Sequence, residues 1–288
     1  MKSLIITADD FGASSQVNEA VERAHVQGVL SAASLMVSAP GAAEAVAIAQ
    51  RTPSLAVGLH LVLVEGRPTL PPDQVPDLVD ESGLFRIDMV RAGVTLFFLP
   101  AARRQLAAEI TAQFEAYAAT GLVLDHVNAH KHFHLHPTIA GLILKIGARF
   151  GLNASRLPIE PRGVLARIEP QASYPAEPVV DLWAAWARRR FRAAGLTVPD
   201  QVFGLRWSGA MSAKRLGGVI AHLPPGLSEV YLHPATDRYE GSAPGYGYVE
   251  ELAALTDPTV IAAVRVGPIA LGGFGAHIAG QQTKEPLA

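Results

Sequence analysis

The chain has 288 residues, of which 49% are hydrophobic and 17% are charged, and it contains no cysteine. This composition supports a large apolar core, and it excludes disulfide bonds and thiolate metal ligands. The net charge of −2 provides no general attraction to nucleic acid, so we expect no nucleic-acid partner. Acidic residues appear by position 9 and the longest apolar stretch is too short to cross a bilayer, which predicts a soluble cytoplasmic protein.

Apolar, β-branched runs alternate along the chain with alanine-rich segments in which apolar residues recur at helical spacing. Such alternation is typical of a parallel sheet buried on both faces, and the length fits one α/β barrel or two ordinary domains. The predicted strands are residues 3–8, 32–37, 55–61, 123–130, 230–233 and 260–269, with a helical alternative for 260–264. The predicted helices are residues 16–27, 42–50, 102–119, 138–150, 180–194, 213–222 and 249–255.

Two proline-rich segments, residues 66–91 and 158–178, interrupt this alternation. Long connections at the carboxyl end of a parallel barrel commonly carry binding specificity. We therefore interpret both segments as loop insertions near a site. The alternative is a pair of poorly ordered surface insertions.

Four apolar runs end in acidic or histidine residues, which suggests one site at one end of a barrel. The first run ends at Asp9 and Asp10, and adjacent carboxylates there require something that offsets desolvation and repulsion. On an extended backbone they would face opposite sides, so we expect a turn at Phe11–Gly12 to bring them together. One carboxylate would bind a metal ion and the other would act as base. The alternative is a helix cap, for which Ser14 and Ser15 are better candidates.

His60 follows Gly58, a residue that permits a close approach to the backbone, although a satisfied core histidine is the alternative. Histidines at positions 130, 132, 134 and 136 would share one face of an extended chain until Pro137 starts the next helix. We assign His130 to the metal and leave the other three as supporting, substrate-binding or surface groups.

One carboxylate and two imidazoles suit a catalytic divalent cation. Zinc is expected first, with nickel, cobalt or ferrous iron as alternatives and magnesium as a less natural one. Such a site would activate water and polarise a carbonyl oxygen. His233, which precedes Pro234 at the end of a late strand, is the candidate acid for the leaving group. A buried structural histidine is its alternative.

Four segments of the chain, residues 7–12, 58–61, 128–132 and 232–234, together resemble the YdjC-like carbohydrate deacetylases. The resemblance implies an α/β fold, an irregular (β/α) TIM-like barrel in a single domain over residues 1–288. It also implies metal-dependent removal of N-acetyl groups from amino sugars. Metal ligation then falls on Asp10, His60 and His130, the base role on Asp9, and a catalytic role on His233.

The resemblance also suggests substrate-binding residues. Arg156 lies where the family keeps a basic residue near the site, with a surface salt bridge as the alternative, and His132 is the second candidate. The family often has an aspartate where this chain has Asn128, so the chain departs from the pattern there.

A lipid-linked substrate is a further expectation. The proline-rich loop and the helix with Trp183 and Trp186 resemble the hopanoid-associated branch, whose implied substrate is a lipid-linked N-acetylglucosamine. A helix rich in tryptophan and arginine could rest at the inner membrane surface, and residues 96–99 could contact a lipid tail. Core tryptophans and solvated arginines are the alternatives. The alanine-rich helix 102–119 could support a homodimer.

Two other functions use the same residues. A phosphoesterase could activate water with these ligands, although such enzymes often use two metal ions. A sugar- or lipid-binding barrel without catalysis is the second alternative, and the complete set Asp9, His60, His130 and His233 argues against it.

Overall fold

A computed structural model describes residues 2–175 and 178–282 of the chain. The strands are β1 (Lys2–Phe11), β2 (Ala32–Leu35), β3 (Ala56–Leu61), β4 (Val127–Ala129), β5 (Gln201–Phe203), β6 (Gly226–Leu232) and β7 (Ile269–Leu271). They form one parallel sheet in the order β4-β3-β2-β1-β6-β5, and β7 pairs with the first residues of β1. The predicted α/β class with parallel strands is therefore confirmed.

The sheet is curled into a half-barrel. Beyond β4, single parallel bridges join Val127 to Ser155 and Ala154 to Thr197, and they extend the pairing toward β5. The β-strand twist that all L-residues favour accumulates across such a sheet and bends it into a curve. Closure into a complete TIM-like barrel stays a prediction.

The helices lie between the strands along the chain. They are α1 (Ser15–Gln27), α2 (Ala42–Arg51), α3 (Met89–Phe98), α4 (Pro100–Ala119), α5 (Pro137–Gly147), α6 (Arg162–Ile168), α7 (Pro178–Ala193), α8 (Ala213–Ala221), α9 (Tyr248–Leu255), α10 (Pro258–Val266) and α11 (Phe274–Gln282). Short 3₁₀ helices span Pro72–Gln74, His130–Leu135 and Ala148–Phe150. The Ser14 side chain accepts a hydrogen bond from the Val17 amide and so caps α1, which confirms one of the two predicted caps.

Side chains of β1 alternate between two buried environments because successive residues of a strand face opposite sides. Leu4, Ile6 and Ala8 belong to the large core formed with the helices. Ile5 instead packs with Leu227 in a small cluster that also contains Ala32, Ala154 and Phe274. We call the side of the sheet that carries Ile5 the inward face, and Thr7 and Asp9 lie further along it.

Several predicted elements differ from the structure. Residues 258–266 form helix α10, capped by Asp257 and started by Pro258, so the strand predicted over 260–269 is wrong except at its end, where β7 forms. The fourth predicted strand shortens to β4. The predicted loop at 158–178 contains α6, and α3 and β5 were not predicted. Three-residue strands such as β5 leave too few positions for a recognisable pattern.

Helix α3 leaves much of its apolar surface uncovered. Val90 and Phe98 are 78% and 70% exposed, and Val94, Phe97 and Leu99 are also exposed. Across the described ranges, none of the helices combines the length and apolar character needed to cross a bilayer.

Candidate metal centre

A bulge near the end of β1 brings Asp9 and Asp10 to one site. Ala8 pairs with Ala33 and Phe11 with Leu35, so β1 has one more residue than β2 between these pairs. Asp10 adopts a left-handed backbone with φ of 61°, which aspartate tolerates better than most residues. The expected turn at Phe11–Gly12 is also confirmed, because the Ala13 amide donates to the Asp10 carbonyl at 2.9 Å and Gly12 has a φ of 95°.

Asp10, His60 and His130 form a cluster of three metal-ligating groups. One ligand atom from each lies within 4.8 Å of the others. Asp10 Oδ1 is 3.2 Å from His60 Nε2 and 3.2 Å from His130 Nδ1. His60 Nε2 is buried and makes no hydrogen bond to any described residue, which costs free energy unless a ligand engages it. Two imidazole nitrogens and one carboxylate oxygen suit a divalent transition metal.

The side chain of Asn128 links two of these residues. His60 Nδ1 lies 2.6 Å from Asn128 Oδ1, and Asn128 Nδ2 donates to Asp9 Oδ1 at 3.1 Å. Because an amide oxygen only accepts, Nδ1 of His60 carries the proton and Nε2 presents its lone pair toward Asp10. An aspartate at position 128 would offer no donor to Asp9.

The backbone that places His130 beside Asp10 is not the extended strand that the sequence predicts. The segment 130–135 is a 3₁₀ helix in which Lys131 and His132 adopt left-handed backbones. The histidines consequently do not share one face of a strand, and that expectation is wrong. Pro137 does start α5, as expected.

The Arg156 side chain is completely buried beneath the two aspartates. Its guanidinium donates to both oxygens of Asp9, at 2.5 and 3.0 Å, and to Glu229 Oε1 at 2.8 and 3.0 Å. Thr7 Oγ1 also donates to Glu229 Oε1, at 2.8 Å. The surface salt bridge considered for Arg156 is therefore wrong. Its donors are directed at two buried carboxylates and so orient Asp9, while a contact between Arg156 and a substrate stays a prediction.

The electrostatics favour ionised carboxylates at this site. Burial alone would raise the pKa of Asp9, but the adjacent Arg156 guanidinium outweighs it and holds that pKa well below its usual range. Burial acts similarly on Asp10, and His130 together with His60 keeps the pKa of Asp10 low. Burial lowers the pKa of His130, yet the Asp10 charge outweighs this and raises the pKa above its usual value.

His132 and His134 occupy different surroundings. His132 Nε2 lies 2.9 Å from the Tyr231 hydroxyl, and His132 lines the cavity beside the metal ligands. His134 Nε2 donates to the Arg156 carbonyl at 2.9 Å, and burial followed by the Arg156 charge lowers the pKa of His134 to about 3. His136 is half-buried against Phe97 and Phe133.

His233 lines the same cavity as the two aspartates. Its backbone amide donates to Glu251 Oε2 at 2.6 Å, while Glu251 Oε1 accepts from the Met211 amide at 2.9 Å. These bonds fix the position of His233 just beyond the end of β6. Burial lowers the pKa of the His233 ring, and its Nδ1 has no partner in the described chain.

The cavity over the metal ligands has a volume of about 410 Å³ and adjoins a groove of about 870 Å³. Four tyrosines line the cavity, at positions 231, 239, 246 and 248. Ser14, Ser38, Glu44 and Arg67 are among the polar residues that line the groove. Aromatic side chains beside polar groups are suited to the mixed apolar and hydroxyl faces of a sugar.

The structure brings together Asp9, Asp10, His60, His130 and His233 around one cavity, with His132 at its wall. Sequence reasoning assigned no role to Glu229, Tyr231 or Glu251. A signal was present for the first two, because Glu229 and Tyr231 on β6 alternate with His233 just beyond its end, and an acid inside an apolar strand needs a partner.

A carboxylate and two histidines at the carboxyl ends of parallel strands define an α/β protein with a candidate mononuclear metal centre. The model of the family described as "YdjC-like protein" matches residues 3–265, and the chain belongs to this family.

Curated relatives of the chain carry the name carbohydrate deacetylase. The protein from Geobacillus stearothermophilus is 32% identical over 262 residues, which cover 90% of this chain and 91% of that protein. The protein from Thermoanaerobacter pseudethanolicus is 25% identical and covers 82% of each chain. The protein from Brevibacillus brevis is 38% identical over 51% of this chain and 56% of its own length.

Among solved structures, a protein from Enterococcus faecalis named for cellobiose-phosphate cleavage superimposes with a TM-score of 0.75. The superposition covers 96% of this chain and 98% of that one, at 23% sequence identity. This likeness establishes a shared fold over nearly the whole chain.

Proposed function

We propose that the protein is a metal-dependent hydrolase that removes the N-acetyl group from an acetylated amino sugar. The observation that supports it most is the cluster of Asp10, His60 and His130 with Asp9 held beside it by Arg156. The deacetylase names of its relatives agree with this chemistry. Under this proposal the whole chain, residues 1–288, acts as one deacetylase domain.

Asp10, His60 and His130 would hold the cation, with zinc expected first and nickel, cobalt, iron or magnesium as alternatives. When bound, a divalent cation supplies Lewis-acid stabilisation of the amide oxygen and lowers the pKa of water. The hydrogen bond from His60 Nδ1 to Asn128 orients the ring for this role.

Asp9 serves as the base in this proposal. Arg156 and Asn128 fix its carboxylate, and the Arg156 charge keeps it ionised and able to accept a proton. Asp9 takes a proton from the attacking water, and the new C–O bond forms at the acetamide carbon. Protonated His233 then gives a proton to the amide nitrogen as the C–N bond breaks, and the proton that Asp9 took from water returns His233 to its protonated form. The proton of the new carboxyl group passes to the amine, so the products are acetate and an ammonium group.

His132 and the tyrosines of the cavity wall would contact the sugar. The His132 ring is held by the Tyr231 hydroxyl, and Tyr231 also lies under the Arg156 guanidinium, 4.5 Å from ring centroid to Cζ. Arg156 acts on the substrate through Asp9 and Tyr231.

Acetate release tests the reaction. Purified, metal-loaded protein is offered N-acetylglucosamine oligomers and an N-acetylglucosaminyl lipid in parallel, with a chelated sample as control. Acetate that appears with metal and disappears with chelator is the expected result. No acetate from either substrate, with one metal ion bound per chain, would contradict the deacetylase and favour another hydrolase or a binding role.

A phosphoesterase remains the alternative that a metal count can distinguish. Enzymes of that class often use two ions about 4 Å apart with bridging carboxylates. Among the residues that the structure describes, one cluster of three ligands is present. We therefore expect one metal ion per chain, and two would favour the phosphoesterase.

The substrate that we propose is linked to a lipid and is reached at an anionic membrane surface. The exposed side of α3 carries Val90, Val94 and Phe98, with Arg91 exposed on the same helix. On α7, Trp183 and Trp186 are 44% and 43% exposed, which speaks against a purely core role. Exposed aromatic and aliphatic side chains beside arginine are suited to the headgroup region of an anionic bilayer.

Vesicle sedimentation tests this contact. Wild-type protein should pellet with vesicles containing phosphatidylserine, and Phe98→Ser should pellet less while retaining acetate release from a water-soluble substrate. Equal recovery of both proteins in the supernatant would contradict membrane contact.

The proposed localisation is the cytoplasm, at the inner membrane surface. A homodimer through α4 stays a prediction that sedimentation velocity would test.

A further inference from the structure

A continuous line of hydrogen bonds leads from the candidate metal ligand His60 into the interior of the sheet. His60 Nδ1 bonds to Asn128 Oδ1 at 2.6 Å, and Asn128 Nδ2 bonds to Ser34 Oγ at 2.9 Å. Ser34 Oγ then lies 2.9 Å from His126 Nε2, and His126 Nδ1 lies 2.9 Å from Asp125 Oδ2. All five side chains are buried.

The far end of the line is anchored to the backbone of α11. Asp125 Oδ2 accepts from the Phe274 amide at 3.1 Å, and Asp125 Oδ1 accepts from the Gly275 amide at 2.8 Å. Burial would raise the pKa of Asp125, but the bond from His126 and these amides outweigh it and keep that pKa below its usual value. Asp125 is therefore a fixed, ionised acceptor.

The direction of each bond follows from this acceptor. His126 must donate from Nδ1 to Asp125, because an ionised carboxylate only accepts. In the neutral imidazole Nε2 then accepts, and the Ser34 hydroxyl donates to it. Ser34 Oγ is then available as an acceptor for Asn128 Nδ2, which places the amide oxygen toward His60. His60 must in turn carry its proton on Nδ1. Its Nε2 is left with a lone pair beside Asp10.

Two glycines make room for this line. A Cβ on Gly58 would lie 2.5 Å from the His126 carbonyl oxygen and 2.6 Å from two atoms of the His126 ring. A Cβ on Gly273 would lie 2.3 Å from Ala56 Cβ and 2.9 Å from Asp125 Oδ1. Real Cβ atoms do not approach so closely. A side chain at position 58 or 273 would therefore displace His126 or Asp125 from the line, and both positions require glycine.

We propose that Asp125, His126 and Ser34 are positioning residues that set the tautomer of His60 through the Asn128 amide. The second hydrogen of the same amide goes to Asp9, so the line also orients the proposed base. The part of this inference that concerns metal affinity rests on the proposed function. The part that concerns the His60 tautomer does not.

The first test is the His60 tautomer in metal-free protein, measured from the ¹⁵N chemical shifts of its ring and assigned with His60→Gln. Wild-type protein should show Nδ1 protonated and Nε2 bare. Ser34→Ala removes one of the two oxygens that hold the Asn128 amide, the other being on Asp9, and should give a partial mixture of tautomers. Asp125→Asn, which keeps the side-chain volume, should shift the tautomer in the same direction and serves if Ser34→Ala does not fold.

Metal affinity is the second readout, because groups that orient a histidine ligand typically change affinity on the order of 10- to 100-fold. Ser34→Ala should weaken Zn²⁺ binding, measured by calorimetry, by about tenfold or more on that basis. Ser31→Ala is the matched control, because within the described part of the chain the buried Ser31 hydroxyl bonds to the Ile6 backbone alone and lies outside the line. It should bind Zn²⁺ as wild type does.

The outcomes separate the two proposals. A wild-type His60 protonated on Nε2 would overturn the inference, as would Ser34→Ala with an unchanged tautomer and unchanged Zn²⁺ affinity. Wild-type protein that binds no Zn²⁺ but keeps the Nδ1 proton, and loses this preference in Ser34→Ala, would support the positioning line while contradicting the metal centre.

Discussion

The inward face of the sheet is apolar at one end and charged toward the other, although the same strands contribute to both. At the amino end, Ile5 and Leu227 pack with Phe274 in a small apolar cluster. At the carboxyl end of β1, Asp9 binds the Arg156 guanidinium, which also binds Glu229 in the middle of β6, in register with Ile5. On β6, Leu227 packs in the apolar cluster and Glu229, two positions later, binds Arg156. On β1, Ile5 packs in the same cluster and Asp9, four positions later, binds Arg156. Stability at one end and reactivity at the other should respond to different substitutions.

The largest effect should come from Asp9→Asn. The variant loses the proposed base but keeps Asp10, His60 and His130, so turnover should fall by at least about a thousandfold while metal stays bound. Acetate release and metal content after gel filtration measure the two properties. Asp10→Asn is the matched control, which should lose metal. If Asp9→Asn loses its metal as well, the roles of the two aspartates are wrongly assigned.

Arg156→Met should destabilise the fold more than any other change at the carboxyl end. It leaves Asp9 and Glu229 buried without their partner, which costs about 3–5 kcal/mol in the free energy of unfolding. The wild-type contribution of Asp9 is present above its unfolded pKa of about 4 and is lost as the pH falls through its lower folded pKa. The deficit of the variant should therefore shrink toward acid pH.

Urea unfolding at pH 7 and pH 3 checks this prediction, because the loss occurs below the unfolded pKa of about 4. Arg51→Met offers a control, because Arg51 forms an exposed pair with Glu22 and its loss should have little effect at either pH. An Arg156→Met protein as stable as wild type at pH 7 would show that the buried carboxylates protonate at little cost.

Ile5→Ala tests the apolar end. Ile5 is 1% exposed, and its truncation leaves a cavity that should cost about 2–5 kcal/mol. The change lies two strand positions from Thr7 and four from Asp9, so Zn²⁺ affinity and kcat should stay near the wild-type values below the melting temperature. A large loss of kcat in folded Ile5→Ala would mean that the two ends are coupled rather than separate.

Gly58→Ala is expected to have a smaller effect that reaches both ends. The new methyl group would collide with the His126 ring, and the resulting overpacking should cost about 1–3 kcal/mol. Zn²⁺ affinity should also fall, since His126 would move. Gly217→Ala, on α8 with open space around its Cβ position, is the control and should be neutral or stabilising. Unchanged stability and affinity in Gly58→Ala would contradict the close packing at this residue.

The alternation of apolar strands and helices predicted the α/β class and most of the helices well, because periodicity of burial is a local property of the chain. The glycine before His60 was rightly interpreted as a point of close approach, and the approaching group is His126. The short strand β5 and helix α3 were missed. Helix α10 corresponds to the helical alternative for residues 260–264, since a short apolar run fits both a helix and a strand.

The sequence by itself determined which residue types are available for chemistry: acids and histidines at the ends of apolar runs, with no thiolates. Tertiary structure alone decided how they meet. The bulge with its left-handed Asp10 and the 3₁₀ turn that carries His130 depend on backbone conformations that sequence periodicity does not encode. The pairing of Arg156 with Asp9 joins residues 147 positions apart, and such a contact forms only when the sheet curls.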